Sequence, residues 1–210
     1  MGRGRLRSRR PRGRLLLSSV AAVGSAASIA GLGTFGTFTS TTSAAQAITS
    51  GTVTIALGTA GTAANRLTVG ASGLVPGDTV QRAFQLSNTG NQNLASITLT
   101  STASPSSLLD TDTSNGLQLL IQACSVPWTE GGVAPAYTYT CSGSTSTVLA
   151  SRPVIGSTLA LSNLTTTTAG NTDNLLATLT FPSAAGNTLQ GLSSTITFTF
   201  TGTQRTATNK

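Results

Sequence analysis

The segment covering residues 73–100 constrains the fold more than any other part of this chain. Its Pro-Gly dipeptide at 76–77 marks a turn, because proline presets φ and glycine supplies the positive φ of a type II turn. Apolar residues such as Phe84 and Leu86 then alternate with polar ones, which is the period of a strand with one buried face. A polar turn and a second alternating run follow, so we expect an antiparallel hairpin. Arg82 interrupts the apolar face, which predicts a sheet rim where its guanidinium reaches water.

Similar alternating runs, separated by turns rich in Gly, Asn and Pro, continue along the chain. They predict strands at about Gly51–Leu57, Arg66–Ala71, Thr79–Ser87, Leu94–Thr102, Leu117–Cys124, Ala136–Cys141, Thr158–Leu161, Leu175–Phe181 and Thr195–Thr201. One helical turn is expected at Pro105–Asp110. Many short strands with one-sided patterning indicate an all-β fold, a single antiparallel β-sandwich of jelly-roll type. We assign it to residues 48–204, followed by a tail at 205–210.

Charge is concentrated in residues 1–14, which contain seven of the 12 basic residues. Beyond residue 36, five basic residues balance five acidic ones, so the clustered basic surface of a nucleic-acid-binding protein is not expected. The arginine-rich start, an apolar run and a small-residue run predict a signal peptide over residues 1–36 that export removes. The apolar run is just long enough to span a bilayer, so a retained membrane anchor is the alternative. Otherwise we expect membrane contact only through the uncleaved signal peptide.

Cys124 and Cys141 are the only cysteines. In an exported protein, two cysteines at this spacing most simply form a disulfide. The loop between them is rich in Gly and Pro, which predicts an irregular excursion. It contains Trp128, the only tryptophan, as well as Tyr137 and Tyr139. Trp128 either caps the core under the loop or is an exposed contact for a partner or a glycan.

The chain contains no histidine. This excludes the Ser-His-Asp and Cys-His catalytic arrangements and the H-E-x-x-H zinc site. Of the five acidic residues, only Asp110 and Asp112 are close in sequence, and their surroundings depart from the spacing of a calcium loop. We therefore expect no catalytic residues, no cofactor and no metal site, and we do not expect an enzyme.

Four segments in order resemble the TasA/CalY (camelysin-like) family of secreted biofilm-matrix proteins. G-L-G-T-F-G-T-F at 31–38 is similar to the end of that family's specialised signal peptide, and I-T-S-G-T-V-T-I at 48–55 to its first strand. The P-G-D turn with the strand ending in L-S-N-T-G resembles its next strand and turn, and T-F-T-F-T-G-T-Q at 197–204 its closing strand. The resemblance covers about residues 31–100 and 193–205.

The resemblance implies a secreted structural protein that self-assembles into extracellular fibres of a biofilm matrix by donor-strand exchange. Cleavage between Gly36 and Thr37 by a signal peptidase would free a polar arm at 37–47, with Ala47–Ile48 as the second choice of cleavage site. The arm, anchored by Phe38 and continuing to Ile48, would pair with a sheet edge of the next subunit. The implied partners are further copies of the chain, accessory matrix proteins and wall polysaccharide, outside a Gram-positive bacterium.

Two other functions remain open on the sequence. The first is a monomeric wall- or glycan-binding sandwich that uses Trp128, Tyr137 and Tyr139. The second is a camelysin-type metallopeptidase, which the lack of histidine disfavours.

N-terminal sequencing of the exported protein should read T-F-T-S-T, because cleavage after Gly36 leaves Thr37 as the first residue. A first residue of Ile48 would mean that the second site is cut and that no arm precedes the sandwich. A chain that still begins at Met1 would mean that the leader is retained as an anchor.

Overall fold

Short strands dominate the part of the chain that the computed structural model describes, which is residues 39–43, 46–47, 54–68 and 70–206. All of these residues fall within one unit, Thr37–Lys210. The strands are β1 (Thr39–Ser43), β2 (Gln46–Ala47), β3 (Ile55–Leu57), β4 (Thr79–Asn88), β5 (Leu94–Ala103), β6 (Gln118–Cys124), β7 (Thr129–Val133), β8 (Ala136–Thr140), β9 (Thr145–Pro153), β10 (Gly156–Ala160), β11 (Thr172–Thr180) and β12 (Ile196–Gln204).

In the described part of the chain, ten of these strands form two five-stranded antiparallel sheets. The order in the first is β10-β5-β12-β1-β2, and the order in the second is β3-β4-β11-β6-β9. The remaining strands, β7 and β8, form a separate hairpin. The predicted all-β antiparallel sandwich is therefore confirmed. Within the described residues, no helix has both the length and the apolar character needed to cross a membrane.

The core lies between the inner faces of the two sheets. Phe84 of β4 and Phe200 of β12 are each 1% exposed, and their ring centroids are 5.4 Å apart in a tilted arrangement. Such an aromatic pair adds about 0.5–1.5 kcal/mol to the burial of the rings themselves. Gly202 has no side chain at the point where Ile55 of β3 packs onto β12, and a Cβ atom there would collide with the Ile55 Cδ1 atom.

Both strands of the 73–100 segment form, but the predicted hairpin is wrong. β4 pairs with β3 and β11, whereas β5 pairs with β10 and β12 in the other sheet. The connection at 89–93 is thus an arch between the sheets. The buried Asn88 side chain holds it by accepting from the Gly90 N–H at 3.1 Å and donating to the Gln92 carbonyl at 3.0 Å. An arch and a hairpin both bury one face of each strand, so the alternating pattern does not distinguish them.

Two other predicted elements need correction. Residues 66–71 form no strand where the structure describes them, because the chain bonds to β4 only briefly, through the Arg66 N–H to the Ala83 carbonyl at 2.8 Å. The cysteine loop is not irregular, because its middle folds into the hairpin of β7 and β8, whose turn uses Gly132 at φ 73°. Strand β9, which begins with polar Thr and Ser, was not predicted.

Arg82 does not reach water as expected. Its side chain is only 5% exposed and donates to the carbonyls of Gln81 at 2.7 Å and Gly70 at 3.0 Å. Its guanidinium carbon also lies 5.6 Å from the centre of the Tyr137 ring. The hairpin therefore covers a rim that the sequence pattern alone leaves open.

The one predicted helical turn is present, displaced by a few residues, as α1 (Leu108–Thr111). Ser107 and Asp110 form a capping box at its start. The Ser107 hydroxyl accepts a hydrogen bond from the Leu109 N–H at 3.1 Å, and the Asp110 carboxylate accepts one from the Ser107 N–H at 2.7 Å.

Replacing Phe200 by Ala should lower the free energy of unfolding by about 3–5 kcal/mol, because it leaves a cavity beside Phe84 at the centre of the core. Urea denaturation followed by far-UV circular dichroism measures this. Thr197→Ala, at an exposed position of the same strand, is the matched control and should change it by less than about 0.5 kcal/mol. Equal effects of the two substitutions would contradict the assignment of the core.

Candidate functional site

The N-terminal strand β1 lies at the edge of β12. The register pairs Thr39 with Thr203 and Thr42 with Phe200 in an antiparallel ladder. The first half of β12, residues 196–199, pairs only with β5 in the described part of the chain. β1 therefore covers half of the outer edge of β12, through main-chain hydrogen bonds.

The sequence T-S-T-T-S of β1 contains no large apolar residue, so its attachment depends on backbone pairing. The predicted arm residues Thr37, Phe38 and Ile48 lie outside the described residues, as does Gly36 of the predicted cleavage site. β1 itself falls inside the predicted arm at 37–47. The strand that sequence analysis treats as a free arm is paired with the closing strand of its own chain.

A disulfide joins Cys124, the last residue of β6, to Cys141, just after β8, with a Cα–Cα distance of 5.8 Å. It closes the base of the hairpin formed by β7 and β8. Next to this base, the Trp128 indole N–H donates to the Asn174 carbonyl of β11 at 3.0 Å. The half-buried indole lines a pocket of about 250 Å³ together with Ala83 on the outer face of β4. Trp128 thus packs under its loop, against the sheet.

The two tyrosines of the hairpin lie together, with ring centroids 6.4 Å apart. The Arg66 guanidinium carbon lies 4.7 Å from the Tyr137 ring centre, a cation–π contact. The same guanidinium donates to both carboxylate oxygens of Glu130, at 2.9 Å and 2.6 Å. The Tyr139 hydroxyl donates to Glu130 at 2.8 Å. These contacts bind the hairpin to the segment that precedes β4.

The electrostatics of this network follow from its geometry. The hydrogen bonds from Arg66 hold the pKa of Glu130 below its ordinary value. Burial, together with the bond to Glu130, raises the pKa of Tyr139 to about 12. Arg66 and Glu130 were missed by the sequence analysis. Since they are 64 positions apart, no local pattern signals their pairing.

All five acidic residues accept structural hydrogen bonds. Asp78 accepts from the Val75 N–H, Asp112 from the N–H groups of Ser114 and Asn115, Asp173 from Thr165 and Thr166, Asp110 from Ser106, Ser107 and Ser194, and Glu130 from Arg66 and Tyr139. The bonds from Asn115 and Ser114 lower the pKa of Asp112. Burial raises the pKa of Asp110, but the bonds from the three serines outweigh it and lower the pKa overall. Within the described ranges, no three residues of the types His, Cys, Asp and Glu lie close enough together to hold a metal ion.

The family described as camelysin metallo-endopeptidase matches residues 14–125. The chain belongs to the camelysin family. The predicted TasA/CalY (camelysin-like) assignment is thereby confirmed. Members of the camelysin family are generally extracellular or associated with the cell surface. The match includes β1 to β6 and ends one residue after Cys124, so the hairpin and β9 to β12 lie beyond it. No curated protein matches this camelysin-family chain.

Glu130 should make part of the folding stability depend on pH. Because its pKa is lowered in the folded state, its contribution is complete above the ordinary carboxyl pKa of about 4.3 and is lost as pH falls through the lowered value. Urea midpoints at neutral and acid pH should therefore differ less in Glu130→Gln than in the unmodified chain.

Arg66→Gln should remove the same part of the pH dependence, since it takes away the other half of the ion pair. Thr129→Ala, at the exposed neighbour of Glu130, should leave the dependence intact. Identical acid sensitivity in all four proteins would contradict a role for the ion pair.

Proposed function

We propose that this camelysin-family chain is a secreted structural protein that self-assembles into extracellular fibres of a biofilm matrix by exchanging its N-terminal strand. The observation that carries the proposal is the pairing of β1 with β12. It consists of four residue pairs made by a strand of Thr and Ser only, and on its other side β1 pairs only with the two-residue edge strand β2 in the described part of the chain. A strand held in this way leaves its own sheet at low cost, since no apolar side chain of its own anchors it.

After the exchange, β1 and β12 form the same backbone hydrogen bonds, but between two subunits instead of within one. In a closed monomer, β1 completes the sheet of its own chain. In a fibre, β1 of one subunit lies on β12 of the next. Each subunit donates β1 and accepts the β1 strand of another subunit along the edge of β12. Because these are different surfaces, a subunit that has used one still has the other available. This head-to-tail contact does not close, so it produces a filament.

The charge distribution supports association. Beyond residue 36 the five basic and five acidic residues cancel. At neutral pH, subunits of this composition repel one another only weakly, and edge strands without lysine are poorly protected against pairing with another chain. For a subunit of a filament this is an advantage.

The non-enzymatic part of the proposal rests on the side chains. The chain has no histidine, and each of its acidic residues is engaged in a cap, a turn or the Arg66–Glu130 ion pair. A carboxylate held in this way is a poor candidate for a general base or a metal ligand. We extend the proposal to secretion, to removal of residues 1–36 by a signal peptidase, and to further copies of the chain as the main partner, with accessory matrix proteins and wall polysaccharide as additional ones.

Electron microscopy of the chain purified without residues 1–36 should show filaments. Removing residues 37–47 as well should abolish them, because the exchanged strand is gone. As a control, deletion of residues 206–210 within the tail should leave them intact. A monomer that binds polysaccharide and loses this binding in Trp128→Ala would favour the glycan-binding function instead, and casein digestion blocked by a chelator would favour a peptidase.

A disulfide crosslink shows whether β1 pairs with β12 of its own chain or of a neighbouring subunit. Thr41 of β1 lies directly opposite Thr201 of β12, so cysteines at both positions are placed to form a disulfide. Oxidised filaments of the double variant should give a ladder of covalent oligomers on a non-reducing gel. The single variant Thr41→Cys should give none longer than a dimer. If the filaments of the double variant contain only monomers on the non-reducing gel, β1 is bonded to its own chain and the strand-exchange proposal is wrong.

A further inference from the structure

The sandwich core is incomplete at one end. Along the inward face of β12, Phe200 is buried, yet Phe198 and Ile196 of the same row are only half-buried. On β11, Leu175 is 0% exposed, whereas the inward-facing Leu179 is half-buried. Side chains in one row of a strand face the same layer, so this change means that the two sheets do not close fully on each other there.

The space is a cavity of about 720 Å³. Leu179, Ile196 and Phe198 form part of its wall, and residues 67–68, 70–74 and 191–195 form other parts. Its volume is within the range of about 300–1,000 Å³ that is typical of small-molecule sites. The wall is mainly apolar, and Ser and Thr residues of the two loops supply its polar part.

One cationic side chain, Arg82, lies in this largely apolar wall. Burial lowers the pKa of Arg82, and the nearby Tyr139 and Tyr137 oppose this effect. Two of its N–H groups donate to the carbonyls of Gln81 and Gly70. A guanidinium at the surface of an apolar cavity favours an anionic group over a neutral or cationic one, because charge-assisted hydrogen bonds are the strongest that it forms.

We propose that this cavity binds a monoanionic amphiphile with a single acyl chain, of which a fatty-acid carboxylate is the simplest example. The acyl chain lies against Leu179 and Phe198 and completes the core at the open end. The carboxylate lies on the side of Arg82. The combination of a mainly apolar wall with one positive charge selects this ligand class over a cationic lipid.

The site is separate from the strand exchange. β1 pairs with β12 at residues 200–203, whereas the cavity includes residues 195–198. The amphiphile proposal therefore does not depend on fibre formation, and either one can fail without the other.

Isothermal titration of the purified full chain with laurate should show saturable binding of one laurate per chain. Dodecyltrimethylammonium, with the same chain and the opposite charge, should bind at least about tenfold more weakly. Leu179→Trp fills the cavity with an indole and should weaken laurate binding about tenfold or more. Ile196→Trp fills the cavity from the opposite sheet and replaces Leu179→Trp in the test if that variant is unstable. Val133→Trp, at the 77% exposed tip of the hairpin, adds the same indole outside the cavity and should leave binding unchanged.

Arg82→Gln should reduce the preference for laurate over the cationic amphiphile while leaving the binding of the alkyl chain. The proposal is overturned if laurate does not saturate, or if Leu179→Trp and Ile196→Trp bind it as tightly as Val133→Trp. An Arg82→Gln variant with unchanged charge preference overturns the role of the guanidinium. If laurate does not bind and the two cavity-filling variants instead prevent association with a second copy, the cavity holds a neighbouring chain and the amphiphile proposal fails.

Discussion

The apolar contact between the inner faces of the two sheets is the interaction on which the rest of this structure depends. Only 8% of the residues are charged, so electrostatic pairs contribute little to folding. Burial of side chains such as Phe84 and Phe200, at about 25 cal/mol per Å² of apolar surface, provides most of the driving force. β12 is central to it, because this strand faces β4 across the core, pairs with β5 along one edge and receives β1 along the other. Core packing and edge pairing therefore meet in a single strand.

A second layer of packing covers the outer face of β4 and β11. Ala83 and Leu176 are opposite each other in the ladder and point away from the main core, yet both are buried. The outer face is covered by the hairpin of β7 and β8, which the disulfide closes at its base and the Arg66–Glu130 ion pair ties to the segment preceding β4. The aromatic residues of the cysteine loop are thus engaged in packing.

Sequence reasoning succeeded where the signal is local. The alternation around Phe84 and the T-F-T-F-T run of β12 predict two strands that the structure contains, and the helical turn expected at Pro105–Asp110 overlaps α1. It failed where two structures share the same local pattern. The arch at 89–93 was interpreted as a hairpin, and the Gly- and Pro-containing cysteine loop was interpreted as irregular although it folds into two paired strands.

Four properties can be inferred from neighbouring residues or from composition: the fold class, the buried face of most strands, the neutrality of the chain beyond residue 36 and the membership of the camelysin family. Four others become visible only once the chain is folded: which strands are neighbours, the burial of Arg82, the contact of Arg66 with Glu130 and the cavity between the sheets. The physical reason is that a strand's period specifies its buried face but not its partner. The partner is selected by the sum of contacts between residues far apart in the chain.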